Sequence, residues 1–372
     1  MKAWLFIISA LLSMVVCAAA ADSQPATLLP GAAAPDFTLP GVDGRNHSLK
    51  DFEHAKILTI IFTCNHCPTA QYYEPRIKQL VTDYKDKGVA VVAVMPNDPK
   101  SVRLDELGWT DLSDTFAEMK IRAKDRQYNY PYLYDGDSEV MARKYGPVAT
   151  PHAFVFDQER KLRYVGAIDD SERVQHVSQH YLRDALDALL SGKDVAVAKT
   201  KVVGCSIKWA GKEDSVKAYL EKLAAEPVSV SPAGEAVLKE LRANKSGKFR
   251  LINFWATWCA PCVAEFDEFV TINRMYRHRD FELVMVSVNA PDEQNAVLAF
   301  LKKHQASCRN LLFASAKRDK LIDAFDPDWQ GEVPLTVLID PDGKIIYRQS
   351  GSIDALATRR AIVQAMNQVK PW

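Results

Sequence analysis

Two Cys-x-x-Cys pairs in similar surroundings constrain the fold more than any other feature of this sequence. The pairs are Cys64 with Cys67 and Cys259 with Cys262. Each follows an apolar, β-branched run, residues 56–62 and 249–255, that is typical of a buried strand. Each is followed by apolar residues at a helical period and then by a second apolar strand. Because this order occurs twice in 372 residues, we expect tandem domains rather than a solenoid.

The similarity continues downstream of each pair. A strand that begins at a proline, Pro151 or Pro334, is followed by another strand and by a helical pattern, at about residues 172–190 and 355–369. These patterns place a first domain at residues 30–190 and a second at residues 227–372. Residues 191–226 connect them and include a helical segment at 213–224, while residues 97–127 are an insertion in the first half alone.

The N-terminal segment has the pattern of a signal peptide over residues 1–21. Lys2 is followed by an uncharged apolar run and then by four alanines that suit a cleavage site. The localisation expected is therefore periplasmic or otherwise exported. An uncleaved anchor is the alternative, because residues 3–21 are just long enough to span a bilayer.

The balance of basic and acidic residues limits the classes of partner that this chain is expected to bind. The chain has 47 basic and 47 acidic residues and no net charge. This composition offers no electrostatic basis for binding nucleic acid, and a membrane is expected as a partner only if the N-terminal segment is retained.

The second half resembles the TlpA-like and ResA-like periplasmic thioredoxins. The resemblance rests on the sequence NFWATWCAPC at residues 253–262, on Glu265 three residues later and on Val333 with Pro334 downstream. It covers about residues 227–372.

The first half is similar to the redoxin, or AhpC/TSA-type, branch of the same superfamily. The residues that carry this likeness are PDFTL at 35–39, FTCNHCP at 62–68 and TPHAF at 150–154. The two resemblances imply an α/β fold class: two tandem thioredoxin-like folds, each a central mixed β-sheet flanked by helices. They also imply that the first cysteine of each pair lies at a helix N-terminus and faces a cis proline, Pro151 or Pro334.

This arrangement points to thiol–disulfide exchange. A thiolate is the attacking species, and a helix N-terminus stabilises it. We therefore expect Cys64 and Cys259 to attack, and Cys67 and Cys262 to resolve the mixed disulfide. The function predicted is that of an exported thiol–disulfide oxidoreductase acting on protein thiols and disulfides, with an unidentified electron donor. The redox-active disulfides themselves carry the electrons, so no cofactor and no metal is expected.

The residues around the two pairs differ. His66 lies beside Cys64, where an imidazole favours the thiolate and makes the disulfide more oxidising. Ala260 and Pro261 offer no such group in the second pair. Glu265 lies one helical turn beyond Cys262 and is a candidate proton acceptor. The first half has Ala70 at the equivalent position and so lacks an evident carboxylate base.

Other roles for the cysteines stay open. The first pair could belong to a scaffold that binds a metal or a client, leaving only the C-terminal site redox-active; a metal would need two further ligands. A c-type haem site is excluded, because Pro68 stands where a histidine would follow the second cysteine. Cys205 and Cys308 are expected to be free thiols, with a bridge between them as an alternative.

Overall fold

The computed structural model describes residues 24–369. The predicted signal segment, residues 1–21, lies outside that part of the chain. Between residues 24 and 369, no helix has both the length and the apolar character needed to span a bilayer.

The first domain has short strands at its N-terminus and then alternating strands and helices. Its strands are β1 (Thr38–Pro40), β2 (Asn46–Ser48), β3 (Ile57–Phe62), β4 (Val89–Met95), β5 (Tyr132–Tyr134), β6 (Ala149–Thr150), β7 (His152–Phe156) and β8 (Leu162–Gly166). Its helices are α1 (Pro68–Tyr84), α2 (Phe116–Asp125), α3 (Val140–Tyr145) and α4 (Tyr181–Leu190). Five of the strands form a mixed sheet in the order β5-β4-β3-β7-β8, with β3 parallel to β4 and antiparallel to β7.

The central strand β3 explains why its sequence is apolar without interruption. Ile57 and Ile61 pack with α1 and α4 on one face of the sheet. Leu58, Ile60 and Phe62 pack with α3 on the other face. Successive strand residues point to opposite faces, so burial on both faces requires a continuous apolar run. The strand predicted at residues 56–62 is therefore confirmed.

The closing helix of the first domain is shorter than the sequence pattern suggests. α4 begins at Tyr181 rather than near residue 172. In the segment before it, the side chain of Asp170 accepts hydrogen bonds from the backbone N–H and the hydroxyl of Ser178, at 3.0 and 2.5 Å. These side-chain contacts compete with a helical backbone, and the helical period alone does not reveal them.

The segment after α4 contains β9 (Cys205–Ser206) and α5 (Glu213–Ala224), the latter matching the predicted connecting helix. β9 pairs with β6 in an antiparallel two-stranded sheet. Ile207 and Trp209 are buried in the core of the first domain. The first part of the predicted connector is thus packed on the first domain.

The second domain is built around a six-stranded mixed sheet. Its strands are β10 (Ser231–Ala233), β11 (Phe249–Trp255), β12 (Phe281–Ser287), β13 (Arg309–Phe313), β14 (Leu335–Ile339) and β15 (Ile345–Ser350). Its helices are α6 (Glu235–Ala243), α7 (Ala260–Tyr276), α8 (Gln294–Lys303), α9 (Asp319–Phe325) and α10 (Ala355–Val369). The strand order is β10-β13-β12-β11-β14-β15, so β11 is central, as β3 is in the first domain. The expected fold class, two thioredoxin-like folds with mixed sheets, is confirmed.

The insertion at residues 97–127 forms a contact between the domains. Val102 and Leu107 are buried in the hydrophobic core of the second domain. The hydroxyl of Tyr276, at the end of α7, donates to the carbonyl oxygen of Thr110 at 2.8 Å. The insertion therefore belongs to the first half in sequence but contributes apolar side chains to the second core.

Candidate functional site

Cys259 and Cys262 form a disulfide at the N-terminus of α7. Cys259 is the N-cap residue, and its Sγ accepts a hydrogen bond from the backbone N–H of Cys262 at 3.3 Å. The first backbone N–H groups of a helix have no intrahelical partner and favour a negative charge. In the second domain the first cysteine therefore lies where the resemblance implies.

The disulfide lies beside a cis proline, and the residue that precedes Cys259 in the chain is an exposed tryptophan. The Val333–Pro334 peptide bond is cis, and the carbonyl oxygen of Val333 lies 3.7 Å from the Sγ of Cys259. Trp258 is 56% exposed although it is a large apolar residue. A partner that approaches Cys259 thus meets an apolar surface open to solvent.

Glu265 is half-buried on the same helix, three residues after Cys262. Residues three apart on a helix share a face, so the carboxyl group lies on the side of the disulfide. Burial raises the pKa of Glu265, and the backbone N–H of Ile353, which donates to its Oε2 at 2.9 Å, opposes that shift. A raised pKa suits a group that takes up and releases a proton near neutral pH.

The first pair has a different position relative to its helix. Cys64 and Cys67 are free thiols and are only 3% and 0% exposed. α1 begins at Pro68, so its N-cap residue is Cys67. The expectation that the first cysteine of each pair lies at a helix N-terminus is therefore wrong for Cys64.

Two features explain this later helix start. Proline is favoured at the first helical position, because its missing N–H would have no partner there. The backbone N–H groups of Asn65 and His66 donate instead to Oδ1 of Asp114, at 2.9 and 3.1 Å. A carboxylate from the insertion thus holds the two residues between the cysteines in a loop.

His66 and Asp114 form a buried ion pair at the first site. The imidazole Nδ1 lies 2.6 Å from Oδ2 of Asp114, and the two residues are 1% and 0% exposed. Burial opposes the charge on both, but their mutual attraction outweighs it, so the pKa of His66 is raised and that of Asp114 is lowered. The first site therefore does contain a buried carboxylate, although Ala70 stands at the position equivalent to Glu265.

The ion pair acts differently on the two thiols. Burial raises the pKa of Cys64, and the Cys67 thiol and the Asp114 carboxylate raise it further. Burial also works against a Cys67 thiolate, but hydrogen bonds from Cys205, Cys64 and the Ala70 backbone lower its pKa well below the usual range. The charge on His66 lowers the Cys67 pKa further. The sequence predicted that His66 would favour the thiolate of Cys64, whereas in the structure it favours the thiolate of Cys67.

The proline strand of the first domain reaches the same thiols. The Thr150–Pro151 peptide bond is cis, as the resemblance implies. The hydroxyl of Thr150 lies 3.1 Å from the Sγ of Cys64, and its carbonyl oxygen lies 3.3 Å from the Sγ of Cys67. Thr150 and Pro151 therefore border the first pair as Val333 and Pro334 border the second.

A third cysteine lies at the first site, and sequence reasoning missed it. The backbone N–H of Cys205 donates to the Sγ of Cys67 at 3.4 Å, across 138 residues of sequence. Cys308 packs against the core of the second domain instead, and both residues are free thiols, so the alternative of a bridge between them is not found. Asp114 was also missed, because no spacing pattern links it to the pair.

The first site also has donor atoms suited to a metal ion. Among the described residues, ligand atoms of Cys64, His66 and Asp114 lie within 4.8 Å of one another. The carboxylate of Asp114 already accepts hydrogen bonds from Asn65, from His66 and from the side chain of Asn97, the last at 2.7 Å. A metal ion would have to displace some of these donors.

Two thioredoxin-like domains, each with a Cys-x-x-Cys pair beside a cis proline, define the class of this protein. The model of the AhpC/TSA family matches residues 30–165 and 231–348, so the chain belongs to the AhpC/TSA family.

Curated relatives carry redox names. The thiol-disulfide oxidoreductase ResA of Bacillus subtilis (strain 168) is 30% identical over 129 residues, which are 35% of this chain and 65% of that protein. A thiol:disulfide interchange protein DsbE homolog of Paracoccus denitrificans (strain Pd 1222) is 30% identical over 105 residues, 28% of this chain and 51% of that protein. The chain thus spans less than two thirds of the length of these relatives.

A solved structure covers half of the chain. It is that of a hypothetical protein from Sinorhizobium meliloti 1021, with 33% sequence identity and a TM-score of 0.45. The match covers 50% of this chain and 98% of that protein.

Proposed function

We propose that this protein is an exported thiol–disulfide oxidoreductase that exchanges disulfides with protein substrates through both Cys-x-x-Cys pairs. The observation that carries the proposal is the Cys259–Cys262 disulfide at the N-terminus of α7, bordered by the exposed Trp258. The redox names of the curated relatives support it. The signal pattern of residues 1–21 supports export.

The second site carries out exchange in two steps. In the reduced protein, the Cys259 thiolate attacks a substrate disulfide, forms a mixed disulfide and releases one substrate thiolate. Cys262 then loses its proton, attacks the Sγ of Cys259 and releases the second substrate thiolate. Glu265, with its raised pKa, is the acceptor for that proton. The substrate gains two electrons and the pair becomes a disulfide.

The electrons must come from another dithiol, because this cycle leaves Cys259 and Cys262 oxidised. A reduced protein partner supplies them by the same exchange in reverse. The sulfur atoms carry both electrons and protons, so the proposed reaction needs no further cofactor.

The test uses the full chain with both first-site cysteines changed, Cys64→Ser and Cys67→Ser, so that only the second site reacts. This protein should accelerate the reduction of insulin disulfides by dithiothreitol. Adding Cys259→Ser should return the rate to that of dithiothreitol alone, because the attacking sulfur is gone. Cys308→Ser is the matched control, since Cys308 lies outside both pairs, and it should keep the activity. Undiminished activity of the Cys259→Ser protein would contradict the proposal.

A second candidate function concerns the first site alone. The clustering of Cys64, His66 and Asp114 favours a metal-binding or client-binding scaffold in which only the second site is redox-active. Calorimetric titration of Zn²⁺ into the reduced full chain, with Cys259→Ser and Cys262→Ser, separates the two functions. Stoichiometric binding that Asp114→Asn abolishes would support the scaffold, whereas a redox site should show none.

A further inference from the structure

The strand β9 brings a cysteine from outside the Cys-x-x-Cys motif onto the first pair. β9 pairs with β6, the strand that ends immediately before the cis Pro151, and Cys205 lies opposite Thr150 in the register. Thr150 in turn contacts Cys64 and Cys67. The pairing therefore holds Cys205 at the same strand end as the two motif cysteines.

Gly204 permits this close approach. A Cβ at this position would lie 2.0 Å from the carbonyl oxygen of Thr150, which is far inside van der Waals contact. A residue with a side chain would push β9 away from β6. The glycine thus allows the following residue, Cys205, to reach the buried pair.

Cys67 is the middle member of the three thiols. Its Sγ accepts the backbone N–H of Cys205 at 3.4 Å. The same Sγ lies 3.3 Å from the carbonyl oxygen of Thr150, whose hydroxyl lies 3.1 Å from the Sγ of Cys64. Cys67 therefore lies between Cys64, its partner in the motif, and Cys205, whose backbone it contacts, and all three belong to one apolar cluster.

The three thiols differ in their access to solvent. Cys64 and Cys67 are 3% and 0% exposed, close to the 5% and 2% of Cys259 and Cys262. Cys205 is partly exposed, and its neighbours Gly204 and Ser206 are exposed. Among these three cysteines, Cys205 has the largest exposed fraction.

We propose that Cys205 is a third redox-active thiol of the first site, which takes the disulfide from the buried Cys64–Cys67 pair and passes it to an external dithiol. This inference rests on the proposed function, because it requires the first pair to form a disulfide. It adds the residue through which that disulfide reaches a substrate.

The exchange starts from a Cys64–Cys67 disulfide, which the two free thiols form by passing two electrons to the disulfide of a protein partner. Cys205 loses its proton and its thiolate attacks the Sγ of Cys67; the Cys67–Cys205 bond forms, the Cys64–Cys67 bond breaks, and Cys64 leaves as a thiolate that takes up a proton. One thiolate of a dithiol substrate then attacks the Sγ of Cys205, and Cys67 leaves as a thiolate. The second substrate thiolate attacks the mixed disulfide and releases Cys205. The substrate has lost two electrons, and the site has gained them.

The structure favours Cys67 as the leaving group in the second step. A thiol leaves faster when its pKa is low. Cys67 is the N-cap residue of α1 and accepts the N–H of Cys205, both of which stabilise its thiolate. Cys67, which is bonded to Cys205 before this step, is therefore the cysteine of the three whose thiolate is best stabilised.

The first experiment maps disulfides in the full chain with Cys259→Ser and Cys262→Ser. Addition of Cys64→Ser removes the thiol that competes with Cys205 for Cys67. A substoichiometric amount of oxidised glutathione should then yield a Cys67–Cys205 disulfide. Mass spectrometry of alkylated peptides identifies this bond. Gly204→Ala, which keeps all three thiols but displaces β9, should lower that yield. Cys308→Ser should not change it. A Cys67–glutathione adduct with freely alkylated Cys205 would overturn the inference.

The second experiment measures the rate at which dithiothreitol reduces the oxidised first site in the same background. Cys205→Ser should slow it by about tenfold or more, the order expected when a thiol held in contact is removed. Circular dichroism checks that the variant is folded. An unchanged rate, with the Cys64–Cys67 disulfide still forming, would refute the role of Cys205 and leave the proposed function intact. If no disulfide forms at the first site in any variant, the proposed function of that site fails, and this inference fails with it.

Discussion

The two Cys-x-x-Cys sites share a sheet position and a cis proline but differ in almost everything around them. At the second site the first cysteine caps the helix, the flanking residues are apolar, and Trp258 is exposed, although Cys259 and Cys262 are themselves only 5% and 2% exposed. At the first site the second cysteine caps the helix, and an ion pair of His66 with Asp114 and the thiol of Cys205 surround a buried pair. The fold thus positions the sulfurs, whereas residues from distant segments determine their charge and access.

The largest effect on this contrast between the two sites is expected when the charge of Asp114 is removed. Asp114→Asn leaves a buried histidine without its counter-ion, and we expect a loss of about 3 kcal/mol in the free energy of unfolding. Urea unfolding of the full chain measures it. Asp105→Asn is the control, because Asp105 pairs with an Arg103 side chain that is 43% exposed. A loss below about 1 kcal/mol, typical of an exposed pair, would show that the ion pair is unimportant at the first site.

The second test compares the redox potentials of the two sites. The first disulfide should be the more oxidising, because its reduced form gains a stabilised Cys67 thiolate. We expect a difference of at least about 30 mV, which is tenfold in the exchange equilibrium of a two-electron couple. Titration against glutathione measures each site in the full chain with the other pair changed to serine. His66→Pro should make the first site more reducing. Equal potentials would mean that the different surroundings do not set the direction of electron flow.

A smaller effect is expected for the carboxyl group of the second site. Glu265→Gln should slow insulin reduction by about tenfold and remove the pH dependence due to this group, since it can no longer accept a proton. Glu268→Gln is the matched control: it lies one turn further along α7, is also half-buried and has a raised pKa, but lies beyond Glu265 from the cysteines. An unaltered pH–rate profile in Glu265→Gln would count against proton transfer by Glu265.

The smallest effect is the pH dependence of stability at the first site. The pKa of His66 is raised on folding, so its stabilisation is complete below the unfolded value, near 6.5, and is lost as the pH rises through the folded value. The pKa of Asp114 is lowered, so its contribution is lost only as the pH falls through that lowered value. The difference in unfolding free energy between wild type and His66→Asn should therefore shrink as the pH rises from about 6 to about 9.

The control for this pH series is His54→Asn, because the side chain of His54 is 94% exposed. It should show no comparable trend. A His66→Asn difference that stays constant over the whole range would mean that the imidazole does not contribute as a cation.

The comparison also shows what the sequence alone can reveal. Buried central strands such as Ile57–Phe62 and Phe249–Trp255 follow from continuous apolar runs, and the cysteine pairs, Pro151 and Pro334 follow from local motifs. Asp114 and Cys205 lie 48 and 138 residues from the residues they contact. Such contacts depend on how an insertion and a connector pack, and no local pattern encodes that. The sequence therefore described the second site better than the first.

The insertion at residues 97–127 has a consequence for how the chain unfolds. Val102 and Leu107 complete the apolar interior of the second domain, while Asp114, a few residues on, holds the loop of the first cysteine pair. Unfolding of either domain would remove contacts that stabilise the other. The unfolding of the two domains should therefore be coupled, and separating the chain within residues 191–226 would deprive the second domain of the side chains that the insertion contributes to its core.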